Sequence, residues 1–217
     1  MASLKVASGQ VAQLPGDMSE ADQSRLARLI GIVFMPPLIA ISALIVLSVH
    51  LVVEPLAVAR VIVVSSLFIA VIPAVYIGWL MRRQRIRGGL DLVIAEERLR
   101  PYLVSTLSCA MGAVVLIRLS APQYIWALAL GYALLGVMMA AITQHWKISM
   151  HAAGSALPST ALLNVLGPTA LPGILVVPLV CWARVRSRRH TVPQVAGGTL
   201  LGSLVAWLDF ALFLPRV

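Results

Sequence analysis

The polar residues whose types suit chemistry fall in three short segments, which long hydrophobic runs separate. In chain order they are Arg98 and Arg100, then Lys147, Ser149 and His151, then Arg184 and His190. Arginine offers a planar fork of N–H donors that fits phosphate oxygens, and lysine offers a compact positive charge. Histidine can attack phosphorus or protonate a leaving oxygen. This set of side chains therefore favours chemistry on a phosphate group.

The same residues make a poor metal site. No close cluster of His, Cys and carboxylate side chains has the spacing of metal ligands. Cys109 and Cys181 each lie inside an apolar run, so they indicate neither a disulfide framework nor a zinc site. We expect no metal.

The composition of the chain excludes an ordinary soluble domain. Of 217 residues, 60% are hydrophobic and 12% are charged, and the mean hydropathy is +0.94. Soluble domains carry roughly 45–50% apolar and about 25% charged residues. An excess of this size indicates an integral membrane protein.

Several apolar runs reach the roughly 20 residues that a helix needs to cross a bilayer. Four runs clearly reach this length, namely Leu29–Val53, Ala57–Met81, Gln123–Thr143 and Val192–Leu214. Tyr102–Leu119 is a shorter fifth run. Pro36-Pro37 and Pro73 predict kinks in the first two. A polar N-terminal segment, residues 1–28, precedes them.

The run Ser155–Val185 is too long for one span, because a single helix of this length would measure about 46 Å. Gly167-Pro168 and Pro172-Gly173 lie at its middle, and such dipeptides mark turns. The run is therefore predicted to form a hairpin of two short spans. The expected fold is an all-α, polytopic transmembrane bundle of six to seven spans over residues 29–217.

The 17 basic residues are unevenly distributed about these spans. Fourteen fall on the side that carries the N-terminus and the three polar segments, and three fall on the other side. The positive-inside rule places the crowded side in the cytoplasm, at the cell membrane. The net charge of +9 then indicates anionic lipid or a phosphorylated substrate as partner, rather than nucleic acid.

The three segments together resemble the signature of the type 2 phosphatidic-acid phosphatase superfamily, whose fold is shared with vanadium haloperoxidases. That signature reads Lys-x6-Arg-Pro, then Pro-Ser-Gly-His, then Ser-Arg-x5-His-x3-Asp. Arg100-Pro101 matches the end of the first motif, Ser149 and His151 match the second, and Arg184 with His190 matches the third. The resemblance covers roughly residues 91–202 and is closest to a divergent bacterial and archaeal branch.

The resemblance implies a role for each matching residue. His190 would be the nucleophile that forms a phosphohistidine, and His151 would be the general acid. Arg100, Arg184 and Ser149 would hold the phosphoryl oxygens. The resemblance also implies that no cofactor is needed and that the substrate is a membrane lipid phosphate or diphosphate, such as phosphatidate, phosphatidylglycerophosphate or a prenyl diphosphate.

Three departures from the signature matter for the chemistry. Val93 stands where the family has its first lysine, so either Lys147 or Arg98 would supply that charge. Gln194 stands where the family has the aspartate that orients the nucleophilic histidine. Met150 replaces the glycine of the second motif.

Gln194 lies four residues after His190, one helical turn away, so its amide oxygen could fix the histidine tautomer. Asp91 and Glu97 are alternative carboxylates for that orienting role. The alternatives to a phosphatase are a catalytically weak or inactive lipid-binding or transport relative, and a lipid phosphotransferase that passes the phosphoryl group to an alcohol.

Overall fold

The structure, a computed structural model, describes residues 20–86 and 97–213. Within these ranges it is helical and contains no strand, which confirms the all-α class. The helices are α1 Glu20–Val33, α2 Pro36–Leu51, α3 Pro55–Ser66, α4 Ile72–Arg82, α5 Leu99–Arg118, α6 Gln123–Ile142, α7 Met150–Leu166, α8 Leu171–Ile174, α9 Val176–Arg186 and α10 Val192–Phe213.

Four helical segments of the described chain are long and apolar enough to cross a membrane. They are Pro55–Arg82, Leu99–Arg118, Gln123–Ile142 and Val192–Phe213. Two further pairs of helical segments are long and apolar enough when taken together but are bent where they join, Asp22–Val33 with Pro36–Leu51 and Met150–Ile174 with Val176–Arg186. The count is therefore four, or up to six when each pair is one span. The expected six to seven spans stay a prediction.

Large apolar side chains cover the outside of the bundle. Leu200, Val63 and Leu107 are 71%, 65% and 62% exposed, respectively, although each lies in a helix that is long enough to span. A soluble protein of this size rarely exposes so much contiguous apolar surface. The apolar exterior supports a membrane-embedded protein.

The kink expected at Pro36-Pro37 is confirmed. The axes of α1 and α2 are inclined by 51°, and Pro36 is the first residue of α2. A proline is tolerated there because the first N–H of a helix has no partner within the helix. α1 continues through residue 28, so the polar N-terminal segment and the first apolar run share one helix up to Val33.

A π-helical turn, Leu67–Val71, joins α3 to α4 just before Pro73. In such a turn each carbonyl accepts from the N–H five residues later, and Pro73 has no N–H to give Phe68. The Ser108 hydroxyl donates to the Phe68 carbonyl oxygen instead, at 2.6 Å. A side chain of α5 thus satisfies the carbonyl that Pro73 leaves free, while the kink expected at Pro73 stays a prediction, since Pro55–Arg82 forms one helical segment.

The chain reverses direction after α7. Gly167 has a positive φ of 59° and begins a 3₁₀ turn that leads into α8. The Ser159 hydroxyl donates to the Gly173 carbonyl oxygen at 3.1 Å, so the chain folds back beside α7. α9 then packs along α7. This reversal agrees with the hairpin expected around Gly167 and Gly173, although α7 begins at Met150 rather than at Ser155.

α10 runs parallel to α7 at very short distance. Gly198 faces the Ser149 carbonyl and Gly202 faces the Ala153 carbonyl, where a side chain would collide with backbone. The Thr160 hydroxyl of α7 also donates to the hydroxyl of Ser203, the residue after Gly202, at 3.2 Å. The beginnings of α7 and α10 are therefore adjacent.

We expect Gly202→Ala to destabilise the bundle, because the added methyl group would overlap the Ala153 carbonyl oxygen and push α10 away from α7. The cost should be roughly 1–3 kcal/mol, seen as a lower temperature of thermal unfolding in detergent. Gly78→Ala is the matched control, since no atom lies within 4 Å of its added methyl group and alanine favours a helix. Equal melting temperatures for both variants would refute the close contact.

Candidate functional site

The beginnings of α5, α7 and α10 meet at one end of the bundle. Immediately before α5, Arg98 Nη1 donates to Thr143 Oγ1 at the end of α6, at 2.9 Å. The Ser149 amide donates to the Gln194 carbonyl oxygen at 3.2 Å, which joins the beginnings of α7 and α10. The first N–H groups of a helix carry partial positive charge and attract anions. This end of the bundle is therefore suited to a phosphate group.

Ser149 is fully buried and caps α7. Its hydroxyl oxygen accepts from the Ala152 amide at 3.4 Å, so the hydroxyl hydrogen stays available for a second partner. The resemblance gives this serine a phosphate-binding role. Its position at the start of α7 places the hydroxyl beside the amides of the first helical turn.

The loop between α9 and α10 holds His190 through its neighbours. The His190 amide donates to the Arg184 carbonyl oxygen at 3.2 Å, and the ring Nδ1 lies 3.2 Å from Gln194 Oε1. The Thr191 amide also donates to that amide oxygen, at 3.1 Å, so the oxygen and not the NH₂ group of Gln194 faces His190. Nδ1 must then carry the hydrogen in the neutral ring, which leaves Nε2 with a free lone pair.

Burial and neighbouring cations keep the His190 imidazole neutral. Its pKa is lowered from 6.5 to about 4, first by burial and then by the positive charge of Arg184. Lys147 and Arg98 act in the same direction, and the hydrogen bond to Gln194 acts against them. At neutral pH the ring is therefore uncharged, the form in which it can attack an electrophile.

Two arginines near His190 are almost completely buried. Arg184, in the last turn of α9, is 4% exposed, and Arg98 is 3% exposed. Buried cations are rare in proteins unless they serve an anion or a hydrogen-bond network. Arg98, Lys147, Arg184 and His190 thus form one cationic cluster, which we call the histidine cluster.

The structure does not bring Arg100 into the histidine cluster. Its side chain is exposed, and its charge is absent from those that shift the pKa of His190. Residues two apart on a helix point to different sides, so the beginning of α5 turns Arg98 inward and Arg100 outward. The predicted phosphate-binding role of Arg100 therefore stays a prediction, whereas Arg98, which the sequence analysis also names, is one of the charges that act on His190.

His151 lies in the first turn of α7, two residues after Ser149, and is half-buried. Together with Arg189 it lines one end of a cavity of about 450 Å³. The rest of the lining comes from α1, α2, α4, α5, α6 and the π-helical turn, and it is mainly apolar. Among these residues are Ile69, Pro73, Ile77, Tyr102, Cys109 and Tyr132. The cavity thus leads from the polar end into the apolar interior.

Sequence reasoning missed two residues of the site. Thr143, the partner of Arg98, is 45 positions away in the chain, and no local pattern links the two. Arg189 is most simply read from the sequence as a topology determinant and lipid head-group contact, with substrate steering as the alternative, although its position before His190 is a usable signal for the site. Asp91 and Val93 lie outside the described residues, and within the described ranges no three His, Cys, Asp or Glu side chains form a metal-ligand group.

Comparison of the chain with protein-family models, curated proteins and solved structures finds no match in any of the three. The family resemblance therefore stands on the three motifs and on their order along the chain.

We expect the His190 ring to titrate near pH 4 in the folded protein, because burial and Arg184 both disfavour the imidazolium. Arg184→Gln should move the midpoint upward, towards 6.5, and Arg100→Gln should leave it unchanged. Histidine ring NMR shifts followed against pH, with His190→Ala used for assignment, measure the midpoint. An unshifted midpoint in Arg184→Gln would contradict this account of the histidine cluster.

Proposed function

We propose that the protein is an integral-membrane phosphatase that hydrolyses a lipid phosphate or diphosphate through a phosphohistidine intermediate. The observation that carries the proposal is the His190 imidazole, which is kept neutral and held by Gln194 among three cationic side chains. Such a group is a ready nucleophile in a field that favours a phosphate dianion. The motif resemblance supports the same assignment.

In the first step, His190 Nε2 attacks phosphorus and the bond to the lipid oxygen breaks. His151 gives its proton to that oxygen, so the lipid leaves as a neutral alcohol, or as a monophosphate when the substrate is a diphosphate. Arg184, Arg98 and Lys147 stabilise the charge on the other phosphoryl oxygens, together with the first amides of α7. Gln194 Oε1 accepts from Nδ1–H and stabilises the positive charge that the ring gains.

In the second step, water attacks the phosphohistidine. His151, now deprotonated, takes a proton from the water while the P–N bond breaks, and inorganic phosphate is released. His190 and His151 return to their starting protonation states.

The apolar cavity supports a lipid as the carrier of the phosphate. Its polar end holds His151 and Arg189, and its other walls are mostly hydrocarbon side chains and aromatic rings. A volume of about 450 Å³ falls in the usual range for small-ligand sites. The proposed substrates are accordingly phosphatidate, phosphatidylglycerophosphate and prenyl diphosphates.

The proposed topology has seven membrane-embedded helical segments, in which α7 and α9 form a hairpin. The polar end of the bundle then faces the cytoplasm by the positive-inside rule. Among the described residues this end carries twelve arginines and lysines, and the opposite end carries Arg60 and Arg118. The substrate would enter sideways from the cytoplasmic leaflet.

Hydrolysis can be tested with detergent-purified protein in the presence of a chelator. Phosphate release from phosphatidate, phosphatidylglycerophosphate and a prenyl diphosphate is measured for the native chain, for His190→Ala and for His145→Ala. We expect His190→Ala to lower turnover by about a thousandfold or more. His145 is exposed and has no part in the proposed chemistry, so His145→Ala should retain activity.

Turnover that survives in His190→Ala would refute the phosphohistidine mechanism. A folded native chain that releases no phosphate but binds these lipids would favour the catalytically weak lipid-binding relative. The observation in favour of that alternative is Gln194, because its neutral amide stabilises an imidazolium less than a carboxylate does. Transfer of phosphate to an added alcohol, in place of water, would favour the phosphotransferase.

The cavity can be tested separately by filling it. Ala74 lines the cavity, whereas its neighbour Val75 is 65% exposed and does not. We expect Ala74→Trp to lower hydrolysis of a lipid phosphate by about tenfold or more, because the ring would occupy the space of the hydrocarbon chain. Hydrolysis of a small water-soluble phosphate ester should be unaffected, and Val75→Trp should leave both reactions intact. An equal loss in both variants would refute a lipid-chain site.

A further inference from the structure

A second basic cleft lies between α1 and the end of α9. It has a volume of about 270 Å³. Its lining residues are Ser24, Arg28, Arg186, Ser187 and Arg188. Three guanidinium groups and two hydroxyls thus face one space, and no carboxylate is among the lining residues. None of these five residues lines the apolar cavity that contains His151.

Contacts within the protein hold the walls of this cleft. Ser24 and Arg28 are four residues apart, so they share one side of α1. On the opposite wall, Arg186 Nε donates to Gln23 Oε1 at 3.0 Å, which ties α9 to α1. The Ser187 hydroxyl donates to the Arg184 carbonyl oxygen at 3.3 Å. The cleft is therefore a feature of the packed fold rather than a chance approach of long side chains.

Arg188 adopts a backbone conformation that is uncommon for its residue type. Its φ is 55°, in the left-handed region that non-glycine residues rarely occupy. The turn is closed by the Arg188 amide, which donates to the Val185 carbonyl oxygen at 2.9 Å. Left-handed residues in ordered turns recur at ligand-binding sites. Here the turn places a third arginine against the cleft.

The position of the cleft in the bundle favours a lipid as the source of the anion. On α1, Leu29, Ile32 and Val33 are 60%, 59% and 57% exposed, so this part of the helix presents apolar side chains outward. Arg28 directly precedes them in the chain. The cleft thus lies where polar and apolar surfaces of the bundle meet, the depth at which lipid phosphates are found.

We propose that this cleft binds the phosphate group of an anionic membrane lipid, at a site separate from the histidine cluster. Guanidinium groups bind phosphate oxygens in a bidentate manner, and Ser24 adds a hydroxyl donor. A phosphodiester head group with one net negative charge is the class of ligand that fits. Hydrolysis is no part of this role, so the proposal does not rest on the proposed function.

The cleft also shares a turn with the proposed nucleophile. Ser187 and Arg188 line it, and the next two residues, Arg189 and His190, both donate their amides to the Arg184 carbonyl oxygen. A lipid phosphate in the cleft therefore links α1 to the turn that carries His190. It also offsets the mutual repulsion of Arg186 and Arg188.

Binding can be measured on the full chain in neutral detergent. The probes are phosphatidylglycerol, whose phosphodiester carries a net charge, and phosphatidylcholine, which has no net charge. The test variant is Arg28→Gln with Arg188→Gln, which removes two charges at exposed positions of the cleft. The control is Arg82→Gln with Arg83→Gln, which removes the same charge from exposed positions at the end of α4.

We expect the native chain to prefer phosphatidylglycerol. The test variant should lose about 25-fold in affinity, at about fivefold for each arginine. The control variant should bind as the native chain does, and both should unfold at the native temperature. A phosphatidylglycerol with a photoreactive head group should cross-link to the peptides that contain residues 24–28 and 186–188.

Three results would overturn the proposal. Equal losses in the two double variants would indicate diffuse surface charge rather than a site. Equal binding of the two lipids would exclude recognition of net charge. Displacement of phosphatidylglycerol by millimolar inorganic phosphate would indicate a site for free phosphate instead of lipid. None of these outcomes depends on whether the protein hydrolyses a lipid phosphate.

Discussion

The backbone contact between α7 and α10 is the constraint on which the site depends. Gly198 and Gly202 let α10 approach until the Ser149 amide reaches the Gln194 carbonyl oxygen, at 3.2 Å. That hydrogen bond joins the second and third motifs of the sequence. A larger residue at either glycine would separate the beginnings of the two helices, and His190 would lose its position beside α7. Packing in the apolar part of the bundle thus determines geometry at its polar end.

The histidine cluster places several positive charges in a partly buried space. Such an arrangement is unfavourable for the protein alone, because like charges repel more strongly where water is excluded. Burial, together with the charge of Arg184 and the smaller contributions of Lys147 and Arg98, lowers the pKa of His190 to about 4, which keeps the proposed nucleophile uncharged. A phosphate dianion would reverse the local field. The same cations that add to the effect of burial on the histidine would therefore attract the substrate and stabilise the transition state.

The sequence predicted the helices well where local pattern decides them. The long apolar runs correspond to Pro55–Arg82, Gln123–Ile142 and Val192–Phe213 within a few residues, because twenty apolar residues in a row have few other stable structures. The reversal near Gly167 also followed from local turn residues. The start of α7 was placed five residues late, since Ser149 caps the helix from within a segment that reads as a polar loop.

The candidate site was harder to predict because its contacts are not local. The motif resemblance selected Arg100, whereas the rotation of α5 turns Arg98 towards Thr143. The helical period shows that Arg98 and Arg100 point to different sides of α5. It does not show which of the two sides faces the interior of the bundle. The hydrogen bond from Arg98 to the end of α6 is not predictable from the residues around Arg98 or from those around Thr143. Positions that follow from tertiary packing thus remain the least accessible to sequence reasoning.

Gln194 gives the histidine cluster a different electrostatic balance from one with an aspartate. An amide oxygen has two lone pairs, and here it accepts from both the Thr191 amide and the His190 ring. A carboxylate in that place would raise the pKa of the histidine and stabilise the imidazolium directly. With a neutral amide, the tautomer is still fixed, but compensation for positive charge on the ring must come from the phosphate itself. Positive charge on the ring and phosphate binding would then be coupled more tightly than in a site with its own carboxylate.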